Sequence, residues 1–284
     1  MAHAVELISF GSRYLLRAGI KNANFESAIC LSKIIQHPRF EIYLDNHEVA
    51  PEQEQSFWQS LKLRAEGLPL QYVIGSAEFM GREFKTSPGV FVPRPETEVL
   101  VSTLLEERWL NKYETANVLD VGTGCGAIAI SLACNVSEAH IFACDICDYA
   151  LQLTQENARS LGVDIDIVKS DLFSAFRKAH FFSLIVSNPP YISTADLESL
   201  PREVQHEPRL ALEAGTDGLD YYRRIIPEAP GYLLAGGILA LEIADAQGPA
   251  VTAIFEQCAE FSGLSLIKDY TGRDRVIIAR KRFA

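Results

Sequence analysis

Val118-Leu119-Asp120-Val121-Gly122-Thr123-Gly124-Cys125-Gly126 decides the fold of this chain. A short β-prone run leads straight into alternate glycines, and Ala127 to Cys134 continues as an apolar stretch that reads as a buried helix. Strand, glycine loop, helix is the opening of a ligand-binding βαβ unit, because glycine lets the backbone approach a ligand and adopt positive φ. The spacing is G-x-G-x-G, one residue shorter than the dinucleotide fingerprint, with Ala127 where the third glycine would fall. That favours a cofactor without a pyrophosphate. The chain has no Gly-Lys pair, so it lacks the phosphate loop of nucleoside triphosphatases.

The same alternation continues downstream. His140 to Cys144 reads as a second strand, and Asp148 as the cap of a helix with face Leu151, Thr154, Ala158 and Leu161, closed by Gly162. Ile165–Val168, Phe181–Val186 and Ile238–Ile243 read as further strands, and Leu264–Ile267 with Val276–Ala279 as a closing antiparallel pair. The expected class is α/β: a doubly wound, seven-stranded, mostly parallel sheet with helices on both faces. Upstream the pattern is helical. Val5–Ala18 and the Ala28, Leu31, Ile35 face predict helices, and another starts at Pro51 and stops at Gly67. Glu78 to Val92 alternates around a Ser-Pro-Gly turn and predicts a β-hairpin. The expected organisation is a helical substrate-recognition domain over 1–75, a hairpin linker over 76–95 and a catalytic domain over 96–284.

With 284 residues, 48% of them hydrophobic, the chain can bury a sizeable core. The uncharged stretch Val121–Ser137 is too short and too rich in glycine to span a membrane, and the N-terminus lacks a secretory pattern, so a cytoplasmic location is expected. A net charge of −11 speaks against broad nucleic-acid binding and suits a basic protein partner. Of the six cysteines only Cys144 and Cys147 stand as C-x-x-C, without a second pair or a flanking His, so reduced core thiols are expected rather than a metal.

The chemistry concentrates at predicted strand ends. Asp145 lies 19 residues past Gly126, where an acidic side chain takes ribose hydroxyls. Asp171 can accept from an adenine amino group with Leu172 packed on the ring, and Asp120 can help hold a cationic amino group. A nucleoside plus an amino acid without phosphate describes S-adenosylmethionine. After the fourth strand comes Ser187-Asn188-Pro189-Pro190-Tyr191. The Asn188 side-chain oxygen and the Pro189 carbonyl are two acceptors, prolines donate nothing, and the Tyr191 ring offers a flat face. That set suits a planar NH2 group. Arg94 has two readings: contact with a substrate loop, or pairing with Glu96 or Glu98, the more economical of the two.

These motifs resemble class I methyltransferases that modify planar NH2 groups. The further segments Pro69-Leu70-Gln71-Tyr72, Phe91-Val92-Pro93-Arg94-Pro95-Glu96-Thr97-Glu98, Glu207-Pro208-Arg209-Leu210-Ala211-Leu212 and Asp274-Arg275-Val276 resemble, in order, the HemK-type protein-(glutamine-N5) methyltransferases of peptide chain release factors. The resemblance covers nearly the whole chain and departs at His206 and Leu172, where the family more often carries an aromatic residue and some members a Trp. It implies S-adenosylmethionine held by Gly122, Thr123, Gly124, Cys125, Gly126, Asp145, Asp171, Leu172 and Asn188, with S-adenosylhomocysteine as product and no metal. It also implies an acceptor glutamine held by Asn188, Pro189, Pro190 and Tyr191, of which Asn188, Pro189 and Tyr191 act on the reacting amide. The implied partner is a class I release factor methylated at its Gly-Gly-Gln glutamine, with no membrane, no direct nucleic acid and a monomeric enzyme expected. Rival acceptors are a ribosomal-protein glutamine and adenine N6 of nucleic acid, the latter disfavoured by the acidic balance.

Overall fold

The structure, a computed structural model, describes residues 2–106 and 116–283. They fall into two units, one comprising the residues up to Ser76 with Leu200–His206, the other Ala77–Ser199 with Glu207 onward. Among the described residues no helix is long and apolar enough to cross a membrane.

The first unit contains β1 (Ala2–His3), α1 (Ala4–Arg17), α2 (Ala23–Ile35), α3 (Arg39–Asp45), β2 (Glu48–Val49), α4 (Pro51–Ala65) and α5 (Leu70–Ile74). The three longer helices are those the apolar spacing predicts. Helices α3 and α5, of 7 and 5 residues, are too short to show a period, and the pairing of β1 with β2 left no alternation to read. Leu7, Ile8, Leu31, Phe57 and Leu61 form its core. Beside it Arg64, 6% exposed, bonds buried Glu26 at 2.6 Å and the more exposed Glu203 at 2.7 Å, so an ion cluster ties the segment Leu200–His206 to α4.

The hairpin is shorter and earlier than expected: β3 (Ser76–Phe79) and β4 (Arg82–Lys85). Its turn is Met80-Gly81, with φ of 51° and 69°, rather than Ser-Pro-Gly. A two-residue hairpin turn needs positive φ at both central positions, and Met is rarely found there. Glu98 helps to hold it, accepting the Met80 N–H at 2.6 Å. The second unit continues with α6 (Pro95–Glu106), β5 (Ala116–Val121), α7 (Ala127–Asn135), β6 (Ala139–Asp145), α8 (Asp148–Leu161), β7 (Asp166–Lys169), β8 (Phe182–Ser187), α9 (Asp220–Glu228), β9 (Leu233–Glu242), α10 (Gly248–Glu256), β10 (Phe261–Lys268) and β11 (Asp274–Lys281).

The sheet has seven strands in the order β10-β11-β9-β8-β5-β6-β7. All neighbours pair in parallel except β11, which is antiparallel to both β9 and β10. This is the expected doubly wound sheet. Alternate residues feed opposite layers: Val118, Ile141, Leu184 and Val186 pack with α6, α7 and α8, while Leu119, Val121, Ile185 and Leu239 pack with α9 and α10.

Several local expectations are corrected. Cys147, not Asp148, holds the cap position of α8; Asp148 is its first residue and pairs with Lys169 at 2.6 Å. Asp145 Oδ1 accepts the Cys147 N–H at 2.9 Å and so shapes the turn that leads into the helix, which has no side-chain cap of its own. The buried face of α8 is Ala150, Leu153, Thr154, Asn157 and Ala158, because the helix also packs on the hairpin and the glycine loop. Arg94 pairs neither with Glu96 nor with Glu98 but with Glu207, whose side chain is fully buried and whose Oε2 also accepts the Val92 N–H at 3.1 Å. Thus the Pro93-Arg94-Pro95 and Glu207-Pro208-Arg209 segments are one structural feature. Arg94→Ala removes the cation from a buried carboxylate and is expected to cost about 3 kcal/mol or more in urea unfolding; a loss below about 1 kcal/mol, typical of an exposed pair, would remove this role.

Candidate active site

The parallel strands deliver their carboxyl ends to one edge of the sheet, where open α/β folds bind ligands. The chain reverses direction across the sheet between β5 and β8, which pair Asp120 with Val186. The glycine loop leaves β5 and the Asn-Pro-Pro-Tyr segment leaves β8, so the sheet sets the two side by side. Ser187 Oγ donates to the Val121 carbonyl at 2.6 Å and pins their departure points together.

The glycine loop is held from beneath. The Gly122 and Thr123 N–H groups donate to the Cys144 carbonyl at 2.9 and 3.0 Å. Thr154 Oγ1 donates to the Gly124 carbonyl at 2.9 Å, and Asn157 Nδ2 to the Cys125 carbonyl at 2.8 Å. Asn157 is fully buried and also exchanges bonds with the Lys85 backbone, so it couples hairpin, loop and α8. Gly122 and Gly124 have φ of 76° and 60°; a Cβ on Gly122 would meet nothing within 4 Å, and one on Gly124 only Val90 at 4.0 Å. The loop therefore presents bare backbone to open space. Cys125 is buried and its thiol is pushed up to about 12 by burial, so it is a packing residue.

Asp145 Oδ2 accepts the Gly124 N–H at 2.9 Å, and with Oδ1 on Cys147 the carboxylate braces the loop while retaining lone pairs. Burial raises its pKa and those backbone donors pull it back. Asp120 is fully buried; Oδ2 accepts from Thr123 Oγ1 at 2.7 Å and from the Ala129 N–H at 3.2 Å, while Oδ1 has no hydrogen-bond partner. Burial drives its pKa up to about 7. A bare glycine cradle, a braced carboxylate and an unpartnered buried carboxylate oxygen fit a ligand with a ribose diol and an ammonium group, and so fit S-adenosylmethionine.

The raised pKa makes a stability prediction. With a folded value about 7 against an ordinary 3.8, folding binds a proton at Asp120 between those pH values, so its contribution falls as pH rises through that window. Asp120→Asn removes the ionisable group and is expected to raise the melting temperature at pH 8 relative to wild type, with little change at pH 4, while weakening S-adenosylmethionine. A melting temperature at pH 8 equal to or below wild type would contradict this.

Asn188 is half-buried and donates from Nδ2 to Thr97 Oγ1 at 3.1 Å. Pro189 is buried, and Pro190 and Tyr191 are half-buried. The Tyr191 carbonyl accepts from Gln247 Nε2 at 3.0 Å; that amide also donates to Gly218 and accepts from Ala244, fixing the segment's far end. Burial, then the negative charge of Glu242, hold the Tyr191 phenol well above its ordinary pKa, so it stays neutral. Glu242 ends β9 at 1% exposure. Burial pushes it up to about 7, moderated by the polar groups of Thr97 and Asn188 and the charge of Arg275.

The expected residues do not all gather equally. Asp171 is exposed, with Oδ1 accepting from Arg224 at 2.8 Å, and Leu172 sits beside it at φ 49°, partly buried on the α9 layer. The sequence reading missed Thr97, Asn157, Glu242 and Gln247. Thr97 lies inside the Phe91–Glu98 segment without being singled out there, and Glu242 carries a signal of its own: a carboxylate inside Ile238–Ile243, a run that reads as buried on both faces.

Known proteins place the chain. Residues 6–75 match the PrmC N-terminal domain and residues 81–216 the Methyltransferase small domain. A release factor glutamine methyltransferase of Moorella thermoacetica is 42% identical over 95% of both chains. Its counterpart in Deinococcus radiodurans is 36% identical over 97% of this chain and 98% of its own. Among solved structures, the T. thermophilus 16S rRNA N2 G1207 methyltransferase in complex with AdoMet and guanosine superposes with a TM-score of 0.54 at 22% identity, covering 73% of this chain and 50% of that one, a likeness of fold. Identity of this extent, running through both the helical unit and the sheet, makes the chain a member of the release factor glutamine methyltransferase family.

Proposed function

We propose that the chain transfers the methyl group of S-adenosylmethionine to the side-chain amide nitrogen (N5) of the Gly-Gly-Gln glutamine in class I peptide chain release factors. The observation that carries this reading is Asn188: its Nδ2 is engaged by Thr97, which leaves Oδ1 to accept, next to the Pro189 carbonyl. With the carbonyl of the following Pro189 as the second acceptor, the pair matches the two N–H bonds of a primary amide.

When bound, S-adenosylmethionine supplies an activated sulfonium methyl. The protein's task is then positioning and electrostatics. An amide nitrogen is a poor nucleophile because its lone pair is delocalised. Asn188 Oδ1 and the Pro189 carbonyl accept both amide protons, raise electron density on nitrogen and orient its lone pair. Tyr191 packs on the amide plane. The glycine loop and Asp145 hold the nucleoside, Asp120 faces the ammonium, and Asp171 with Leu172 borders the base. No strong base is needed before transfer, since the amide proton becomes acidic once the methyl has arrived. Residues 1–75 recognise the partner protein, and the reaction takes place in the cytoplasm.

The test is methyl transfer from labelled S-adenosylmethionine to a purified release factor beside its Gly-Gly-Ala variant. Label on the first alone is expected. Equal labelling would move the acceptor elsewhere on that protein. No label on either, with cofactor binding confirmed, would transfer the reading to a ribosomal-protein glutamine or to nucleic acid.

A further inference from the structure

We propose that Thr97 and Glu242 are positioning residues that fix which way round the Asn188 amide stands, so that its oxygen and not its NH2 faces the incoming acceptor. The proposal rests on the reading of the site as an amide methyltransferase and names the device that makes Asn188 an acceptor.

The two ends of an Asn amide are nearly the same size, so shape alone does not choose between them. Chemistry of the neighbours does. A hydroxyl has one proton to donate and two lone pairs, and an ionised carboxylate only accepts. Glu242 stands against both Thr97 and Asn188 at the end of β9. With the Thr97 proton directed to that carboxylate, Thr97 turns a lone pair towards Asn188 and requires a donor in return. The observed bond is that one, Asn188 Nδ2 to Thr97 Oγ1 at 3.1 Å. Were the amide reversed, its oxygen would face a lone pair and a carboxylate, and its NH2 would oppose the NH2 of the acceptor. That arrangement accepts no proton from the substrate.

The location of Glu242 supports a task of this kind. Its side chain is 1% exposed and Oε2 has no hydrogen-bond partner. An apolar residue of similar size would stabilise the strand end better, since an incompletely paired buried carboxylate is a net cost. Such costs persist where they serve a function. The charge of Arg275, itself 8% exposed and held by Asp269 and the Ile243 carbonyl, partly offsets the burial that raises Glu242 to about 7, so the acceptor-only carboxylate dominates above neutral pH. Thr97 lies in the Pro-Glu-Thr-Glu segment that opens α6, and Arg275 in Asp-Arg-Val on β11. Two motifs far apart in sequence thereby act on one side chain.

The test uses the full chain with a release factor as substrate, in single turnover at saturating S-adenosylmethionine. Thr97→Val keeps the shape and removes the hydroxyl. It is expected to slow methyl transfer about tenfold or more, leave the cofactor Kd within about threefold, and regain most of the loss as Thr97→Ser. Glu242→Gln, which can present either end of its own amide to Thr97, should also slow transfer. In an Asn188→Ala background Thr97→Val should add nothing, because the residue it orients is gone. Equal loss in both backgrounds would mark Thr97 as a general structural residue and overturn the proposal, as would a wild-type rate for Thr97→Val. Wild-type failure to label the glutamine would overturn the functional reading instead. The orientation has its own readout in that event: the Asn188 side-chain NH2 protons, identified by their absence in Asn188→Ala, should exchange slowly in wild type and fast in Thr97→Val. Unchanged exchange would defeat the proposal whatever the substrate.

Discussion

Asn188→Ala is expected to lower turnover at saturating S-adenosylmethionine by about 100-fold or more, a loss of roughly 3 kcal/mol of transition-state stabilisation, by analogy with the removal of one preorganised oxyanion-hole donor. The side chain sits half-buried after β8, pinned through Nδ2 by Thr97. On that segment Pro190 offers no side-chain acceptor, and Tyr191 is assigned to the amide plane through its ring face. The substitution therefore deletes one of the two acceptors without a substitute. Water entering the gap would accept a proton but would not be held in place before the reaction. Asn188→Asp should also fail. A carboxylate there would repel Glu242 and lose the donor that bonds Thr97. Tyr191→Phe should be mild, because only the ring face is required. Unchanged turnover in Asn188→Ala, measured with cofactor saturation verified by calorimetry, would refute the assigned role.

The second large effect is on cofactor binding. Asp145→Ala is expected to weaken S-adenosylmethionine by about 100-fold, roughly 3 kcal/mol, the order of two hydrogen bonds to a charged group. In the structure one carboxylate does two things. It accepts the Gly124 N–H and the Cys147 N–H, both at 2.9 Å, and so keeps the glycine loop against the end of β6. Its remaining lone pairs are the ones assigned to the ribose hydroxyls. Alanine removes both at once, freeing a loop whose glycines have positive φ and little intrinsic preference for this shape. Asp145→Asn retains one acceptor oxygen and should fall between the two. Titration calorimetry on the folded variant decides it; a Kd within threefold of wild type would refute both the bracing and the ribose role of Asp145.

The degree to which the site was legible follows from the distance over which each signal acts. Gly122 to Gly126 and Asn188 to Tyr191 are local patterns whose meaning depends on the strand before them, and both strands could be read from their own residues. Asp145 was legible for the same reason, by its place at the end of an apolar run. Pairing of Arg94 with Glu96 or Glu98 is the local reading because they are near in sequence, whereas its partner Glu207 lies beyond most of the sheet. The turn at Met80-Gly81 escapes a local reading because Ser-Pro-Gly is the stronger local signal, and Met80 is held at its positive φ by partners distant in sequence, Glu98 among them. Asp148 was read as a cap on residue type, though the neighbouring Asp145 already supplies the carboxylate to that turn.

By itself the sequence determined the succession of the sheet strands, the parallel sheet with its antiparallel end, the glycine loop and the acceptor segment, since periodicity and turn chemistry act between residues a few positions apart. The tertiary structure alone decided which groups meet at the sheet edge. It set Glu242 and Thr97 against Asn188, joined Arg94 to Glu207, and left Asp120 Oδ1 and Glu242 Oε2 buried without partners. Those pairings depend on strand order, which no local pattern encodes. Burial is also what turns ordinary carboxylates into groups that titrate near neutrality.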